Sequence, residues 1–137
     1  MLLTEIDHVA IAVRDLDAAV DYYRRAFGAE VAHREVVESD GVEEALIKVA
    51  DSYIQLTAAT RDDSPIAKAI EKRGEGIHHI AFEVADIRAE MERLKAEGFT
   101  LLNAEPKRGA DNKLVCFVHP KSANGVLVEL CQEIPED

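Results

Sequence analysis

Two segments of the chain have nearly the same pattern, and each contributes a histidine. Residues 7–16 read DHVAIAVRDL and residues 78–87 read HHIAFEVADI, which aligns His8 with His79. A second pair, YIQL at 53–56 and LVEL at 127–130, aligns Gln55 with Glu129. The two offsets, 71 and 74 residues, are similar. A duplicated scaffold of this kind could gather all four side chains as ligands of one metal ion.

The four side chains offer two imidazoles, one carboxylate and one carboxamide, with no thiolate. Such a nitrogen and oxygen donor set suits a nearly octahedral divalent ion such as Co²⁺, Mn²⁺, Ni²⁺, Zn²⁺ or Fe²⁺. Four protein ligands leave two positions for a substrate that binds through two oxygens. The ion would then act as a Lewis acid on a carbonyl and stabilise developing enolate charge.

The spacing of apolar residues predicts a βαβββ order in each half of the chain. In the first half a strand at 6–13 leads to a helix from the N-cap Asp15 to Gly28, followed by strands near 30–37, 44–50 and 52–58. In the second half a strand at 77–84 leads to a helix between Asp86 and Gly98, followed by strands near 99–103, 113–119 and 126–131. Ser64-Pro65 predicts a short helix over 65–73 between the halves.

These elements predict an α+β fold within a single domain, 1–137. Its modules, 4–60 and 75–133, would form a curved mixed β-sheet whose cleft faces away from the helices. Strand alternation turns four side chains toward that cleft: His8, Gln55, His79 and Glu129. The residues that alternate with them and face the helices are apolar, for example Val9 and Ile11 in the first strand and Ile80 and Phe82 in its partner.

The same alternation points to a fifth residue. In the strand near 44–50, Ala45, Ile47 and Val49 face the helix, which leaves Glu44 on the cleft side. A carboxylate at this place, opposite Glu129, could exchange a proton with a carbon atom held at the metal.

Composition and charge limit the partners. The net charge of −11 argues against nucleic acid and against anionic membrane surfaces. No apolar run approaches the roughly 20 residues that span a bilayer, and no signal peptide precedes Ile6. Cys116 and Cys131 have no CxxC spacing, so we expect reduced thiols and a cytoplasmic protein.

Five motifs together resemble the methylmalonyl-CoA epimerase family of the vicinal oxygen chelate superfamily, which also holds glyoxalase I, extradiol dioxygenases and fosfomycin-resistance proteins. They are IDHVAIAV at 6–13, GVEEA at 41–45, SYIQL at 52–56, GEGIHHIA at 74–81, and HPK at 119–121 with GVLVEL at 125–130. The superfamily's motifs are weak one by one, whereas this combination is specific to the epimerase branch.

The resemblance implies a vicinal oxygen chelate fold and a function. His8, Gln55, His79 and Glu129 match the family's metal ligands, which often hold cobalt; Mn, Ni and Zn are alternatives. Glu44 and Glu129 match the two carboxylates that act on opposite faces of the α-carbon to interconvert (2R)- and (2S)-methylmalonyl-CoA. The implied partner is a CoA thioester, and we also expect a homodimer, since each module leaves a sheet edge open for pairing.

Two other functions use the same fold. A glyoxalase-type isomerase would keep the site and change the reaction, but Gln55 stands where such enzymes commonly carry Glu. A metal-free binding protein would not need an intact set of ligands.

Overall fold

The computed structural model describes residues 1–135. Its strands and helices follow one another in the order that the repeated pattern predicts. The first half contains β1 (Leu3–Ala12), α1 (Leu16–Phe27), β2 (Val31–Val37), β3 (Val42–Val49) and β4 (Ser52–Ala59). Helix α2 (Pro65–Arg73) follows. The second half contains β5 (Gly76–Val84), α3 (Ile87–Ala96), β6 (Lys107–Arg108), β7 (Lys113–Val118) and β8 (Val128–Glu133). Short 3₁₀ turns lie at Glu38–Asp40 and Pro120–Ser122.

The strands form a mixed sheet in the order β2-β3-β4-β1-β5-β8-β7-β6. Strand β1 pairs in parallel with β4, and β5 pairs in parallel with β8. The outer strands of each half are antiparallel. Each half therefore repeats the same βαβββ connection, and the predicted α+β fold is confirmed.

The chain divides into two compact units. The N-terminal unit comprises His8–His78, and the C-terminal unit comprises Met1–Asp7 together with His79–Asp137. Helix α1 covers a core of Val13, Leu16, Ala45, Ile47, Leu56 and Ala58 in the first unit. Helix α3 contributes to the corresponding core of Val84, Ile87, Met91, Cys116 and Leu130 in the second unit. The module bounds 4–60 and 75–133 within a single domain stay a prediction.

Side-chain caps begin each α-helix at the predicted residue. The carboxylate of Asp15 accepts the Ala18 backbone N–H at 3.0 Å, and that of Asp86 accepts the Ala89 N–H at 3.1 Å. The Ser64 hydroxyl does the same for the helix that begins at Pro65. Gly28 ends α1 at a positive φ of 67°, a conformation that glycine adopts without steric cost.

The strand predicted at 99–103 was wrong. Only Leu101 makes an isolated bridge there, to Val118, and the strand that pairs beside β7 is Lys107–Arg108. The Asn103 side chain accepts the backbone N–H of Phe117 at 2.9 Å, in place of the backbone carbonyl that a continuing ladder would supply. A side-chain hydrogen bond thus interrupts the ladder and delays the edge strand by several residues.

The side chains of Cys116 and Cys131 are both buried and form no disulfide. Burial is the main cause that raises the pKa of Cys116 to about 11, and burial also raises the pKa of Cys131. Within residues 1–135, no helix combines the length and the apolar character needed to cross a bilayer.

The caps generate a stability prediction. Asp86→Ala should lower the free energy of unfolding by about 1 kcal/mol, because the Ala89 N–H loses its acceptor. Asp86→Ser keeps an acceptor and should stay close to the wild type. Urea unfolding followed by circular dichroism measures both variants, and equal midpoints for Ala and Ser would contradict a capping role.

Candidate metal centre and catalytic site

Burial of polar side chains marks the site. Among residues 1–135, eight polar or charged residues are buried, and four of them are the predicted metal ligands. The eight are Asp7, His8, Gln55, Thr57, Ser64, His79, Lys113 and Glu129. A buried polar group is costly unless a hydrogen bond, an opposite charge or a bound ion satisfies it. The partners of these side chains therefore indicate what the site does.

In the N-terminal unit, Gln55 lies on the face of β4 that is turned away from α1. Its neighbours Ile54 and Leu56 pack in the core beneath α1, so alternation places the amide on the other face. The amide Nε2 donates to Glu44 Oε2 at 2.8 Å, and Oε1 accepts from the Thr57 hydroxyl at 3.2 Å. Glu44 is half-buried and lies directly opposite Thr57 in the β3–β4 ladder. The three side chains thus form one connected polar group.

Strand β1 carries His8 next to this group. His8 pairs with Tyr53 in the parallel β1–β4 ladder, and Ala10 pairs with Gln55. The imidazole is only 6% exposed, close to the burial of Gln55. The predicted placement of His8 and Gln55 on neighbouring strands is therefore present.

In the C-terminal unit, His79 on β5 and Glu129 on β8 face each other. Val128 and Leu130 pack with the α3 core, which turns Glu129 to the opposite face of β8. The His79 Nε2 and the Glu129 Oε1 are 3.8 Å apart, and both side chains are buried. This separation leaves both atoms able to bind a common partner.

An aromatic ring packs against His79 as well. Phe117 contacts the imidazole edge to face, with ring centroids 5.6 Å apart, and pairs with Glu129 in the β7–β8 ladder. The ammonium of Lys107 lies 5.9 Å from the centroid of the same phenyl ring. The phenyl ring therefore restricts how His79 can turn.

The two donor atoms of the C-terminal unit are spaced as ligands of one ion would be. Two ligands of one first-row divalent ion, each about 2.1 Å from it, are themselves about 3 to 4 Å apart. The 3.8 Å between His79 Nε2 and Glu129 Oε1 lies in this range. An imidazole and a carboxylate at this separation fit a divalent transition metal. The roles of His8 and Gln55 as further ligands stay a prediction.

Sequence reasoning missed three contributors to these surroundings. Thr57 follows Gln55 by two residues, so strand alternation could have placed its hydroxyl beside the amide. Phe117 lies two positions before the HPK motif, but its contact with His79 depends on the β7–β8 register. Lys113, which pairs with Asp7 inside the C-terminal unit, has no signal in the sequence that distinguishes it from a surface lysine.

Comparisons with known proteins agree with this geometry. A sequence profile described as the glyoxalase/bleomycin resistance protein/dioxygenase superfamily matches residues 7–117. An ethylmalonyl-CoA/methylmalonyl-CoA epimerase of Cereibacter sphaeroides is 45% identical over 133 residues, which cover 96% of this chain and 99% of that protein. The chain belongs to this superfamily and, within it, to the methylmalonyl-CoA epimerase family.

Solved structures of the family have the same fold. The Streptomyces coelicolor methylmalonyl-CoA epimerase in complex with 2-nitronate-propionyl-CoA has a TM-score of 0.93 and 45% identity, covering 97% of this chain and 99% of that one. A methylmalonyl-CoA epimerase in complex with methylmalonyl-CoA and NH₄⁺ has a TM-score of 0.92 and 46% identity, covering 96% and 95%. The resemblance seen in the five motifs therefore extends over nearly the whole chain.

The Thr57 contact generates a prediction about the site. Thr57→Val removes the hydroxyl that donates to Gln55 Oε1 and should lower the free energy of unfolding by about 1 kcal/mol. Thr57→Ser keeps the hydroxyl and serves as the matched control. Urea unfolding distinguishes them; a valine variant as stable as the serine variant would show that this hydrogen bond contributes nothing.

Proposed function

We propose that the protein is a metal-dependent epimerase that interconverts (2R)- and (2S)-methylmalonyl-CoA by removing and returning the α-proton. The observation that carries this proposal is the full-length likeness to an epimerase solved with methylmalonyl-CoA itself, at 46% identity. The buried polar groups of the site supply the chemical part of the argument.

The proposed metal ligands are His8, Gln55, His79 and Glu129. Cobalt is the ion we favour, with Mn²⁺, Ni²⁺ and Zn²⁺ as alternatives, because the donors are nitrogen and oxygen atoms without a thiolate. When bound, such an ion supplies Lewis-acid stabilisation of the negative charge that develops on the thioester oxygen during proton removal. The protein's part is to hold these donors in a buried place.

Glu44 is the proposed base on one side of the α-carbon. Its Oε2 accepts a hydrogen bond from the Gln55 amide at 2.8 Å, which fixes the direction of the carboxylate. Gln55 would in this way connect the base to the metal ligands, because its amide nitrogen donates to Glu44 while its amide oxygen would bind the ion. A base that is held in place removes a proton without a further loss of side-chain entropy.

Glu129 is the proposed proton donor on the other side. An epimerisation needs a proton removed from one face and returned to the opposite face, so two acid–base groups are required rather than one. Glu129 stands on β8 in the C-terminal unit, whereas Glu44 stands on β3 in the N-terminal unit. Glu129 would serve both as ligand and as acid–base group.

The proposed partner is the CoA thioester. The homodimer and the cytoplasmic location stay predictions, and light scattering of the purified protein tests whether it is a dimer.

The function is tested by the exchange of the α-hydrogen in deuterated water. We expect wild-type protein to introduce solvent deuterium into both epimers, read by mass spectrometry, and to convert a single epimer into a mixture of the two, read by a stereospecific coupled assay. Chelator treatment should abolish both, added Co²⁺ should restore them, and His79→Ala should resist restoration. Full activity after removal of all metal, confirmed by elemental analysis, would contradict the metal-dependent reaction.

A matched pair of glutamates tests the base. Glu44→Gln should slow α-proton exchange by about 10²- to 10⁴-fold, because it removes general-base catalysis on one face. Glu43→Gln is the control: the Glu43 carboxylate is its half-buried neighbour and pairs instead with Arg34 at 3.0 Å. The exchange rate of each epimer measures the effect, and equal rates in the two variants would refute the role of Glu44.

A further inference from the structure

A buried ion pair joins two distant parts of the C-terminal unit. The Lys113 Nζ donates to the Asp7 Oδ1, and the two residues are 8% and 7% exposed. They stand 106 positions apart in the sequence, in β7 and β1. Neither residue has a role in the proposed chemistry.

The strand order makes this contact informative. Within the C-terminal unit the order is β1-β5-β8-β7, so two strands lie between Asp7 and Lys113. Neighbouring strands are about 4.8 Å apart, which would separate the two backbones by roughly 14 Å in a flat sheet. A lysine of about 6 Å, an aspartate of about 3.5 Å and a hydrogen bond of about 3 Å would reach roughly 12 Å only if both side chains lay flat along the sheet, whereas strand side chains stand roughly perpendicular to it. The contact therefore requires the unit's sheet to curve toward the face on which Lys113 lies.

The concave face is the one that carries the proposed ligands of this unit. Lys113 alternates along β7 with Leu114 and Cys116, which pack in the core beneath α3. Lys113 and Phe117 therefore share the opposite face, where Phe117 pairs with Glu129. The two strands that the ion pair spans, β5 and β8, are those that carry His79 and Glu129.

We infer that the Asp7–Lys113 ion pair is a positioning element, which holds β5 and β8 at the curvature that brings His79 and Glu129 to a metal-binding separation. The inference rests on the proposed function in one respect, since it takes His79 and Glu129 as ligands. It assigns to Lys113 a role in the site although the ammonium of Lys113 donates to Asp7 rather than to a proposed ligand.

The energetics favour positioning over simple stabilisation. Burial has the largest single effect on the Lys113 ammonium and lowers its pKa, but the hydrogen bond and the charge of Asp7 together raise that pKa above the usual value. The Lys113 ammonium therefore keeps its positive charge at neutral pH. A buried ion pair often contributes no more stability than an apolar pair of the same size, whereas its directional contact can specify one geometry.

The experiment compares three single variants of the full chain. Lys113→Met removes the cation, Lys113→Arg keeps one, and Lys95→Met removes an exposed lysine of the same unit that contacts Glu92 and the Ala104 carbonyl. Crystal structures of the metal-free proteins measure the distance between His79 Nε2 and Glu129 Oε1. Titration with Co²⁺, followed by its visible absorption, measures metal affinity.

We expect the Lys113→Met protein to show a longer His79–Glu129 distance than the wild type and to bind Co²⁺ about tenfold more weakly or worse. The Lys113→Arg protein should recover most of the affinity, and the Lys95→Met protein should match the wild type. An unchanged distance and affinity in Lys113→Met would overturn the inference.

A double variant separates positioning from stability. Asp7→Leu combined with Lys113→Met replaces both charges, so it should unfold at a urea midpoint near the wild-type value, even if Lys113→Met alone does not fold. We expect its Co²⁺ affinity to stay reduced; wild-type affinity in a stable double variant would overturn the inference. If the wild type itself bound no Co²⁺, the metal part of the proposed function would fail, while the distances in the metal-free crystals would still decide whether the pair positions the two side chains.

Discussion

The cost of burying polar side chains is the constraint on which the rest of the structure depends. Each of the eight buried polar residues needs a partner, because removing such a group from water without one costs several kcal/mol, about 2 to 7 by common estimates. Gln55 meets that need through Glu44 and Thr57. Asp7 and Lys113 meet it through each other. The imidazole of His79 and the carboxylate of Glu129 lie 3.8 Å apart, so each has the other as a polar neighbour.

Packing of the apolar face of each strand offsets the cost of burying these polar groups. Residues that alternate with Gln55 and Glu129 pack in two separate cores, one with α1 and one with α3. Asp15 and Asp86 cap these helices in the same way, so the duplicated sequence builds two similar supports. Each helix and its core fix a strand whose opposite face presents one amide or carboxylate. The two halves therefore share one packing arrangement, and this arrangement places Gln55 and Glu129 at matching positions.

Strand alternation explains why much of the site could be predicted. Alternation needs only local sequence, and it correctly turned Gln55 and Glu129 away from the helices. It also assigned Glu44 to the cleft side, but the hydrogen bond of Glu44 with Gln55 is seen only in the structure. Prediction from local sequence failed where contacts between distant segments determine the structure. The Asn103 side chain replaces a backbone acceptor for Phe117, so the strand predicted at 99–103 does not form. Phe27 fits the helical spacing of the apolar residues of α1, yet it is 68% exposed and contacts Tyr22 and Tyr23 of its own helix, because it lies at the end of the helix beyond the core.

Charge provides a further reason to assign a cation to the site. A methylmalonyl thioester carries a carboxylate, and the chain has a net charge of −11. Exposed charges farther away than about 8 Å are largely screened at physiological ionic strength, so the local charge decides whether a carboxylate can bind. Among the five residues of the proposed site, none carries a permanent positive charge, and two are carboxylates. Lys113 is already neutralised by Asp7. A divalent ion held by those same residues would therefore serve in binding as well as in proton removal, since it would offset the carboxylates that the reaction needs nearby.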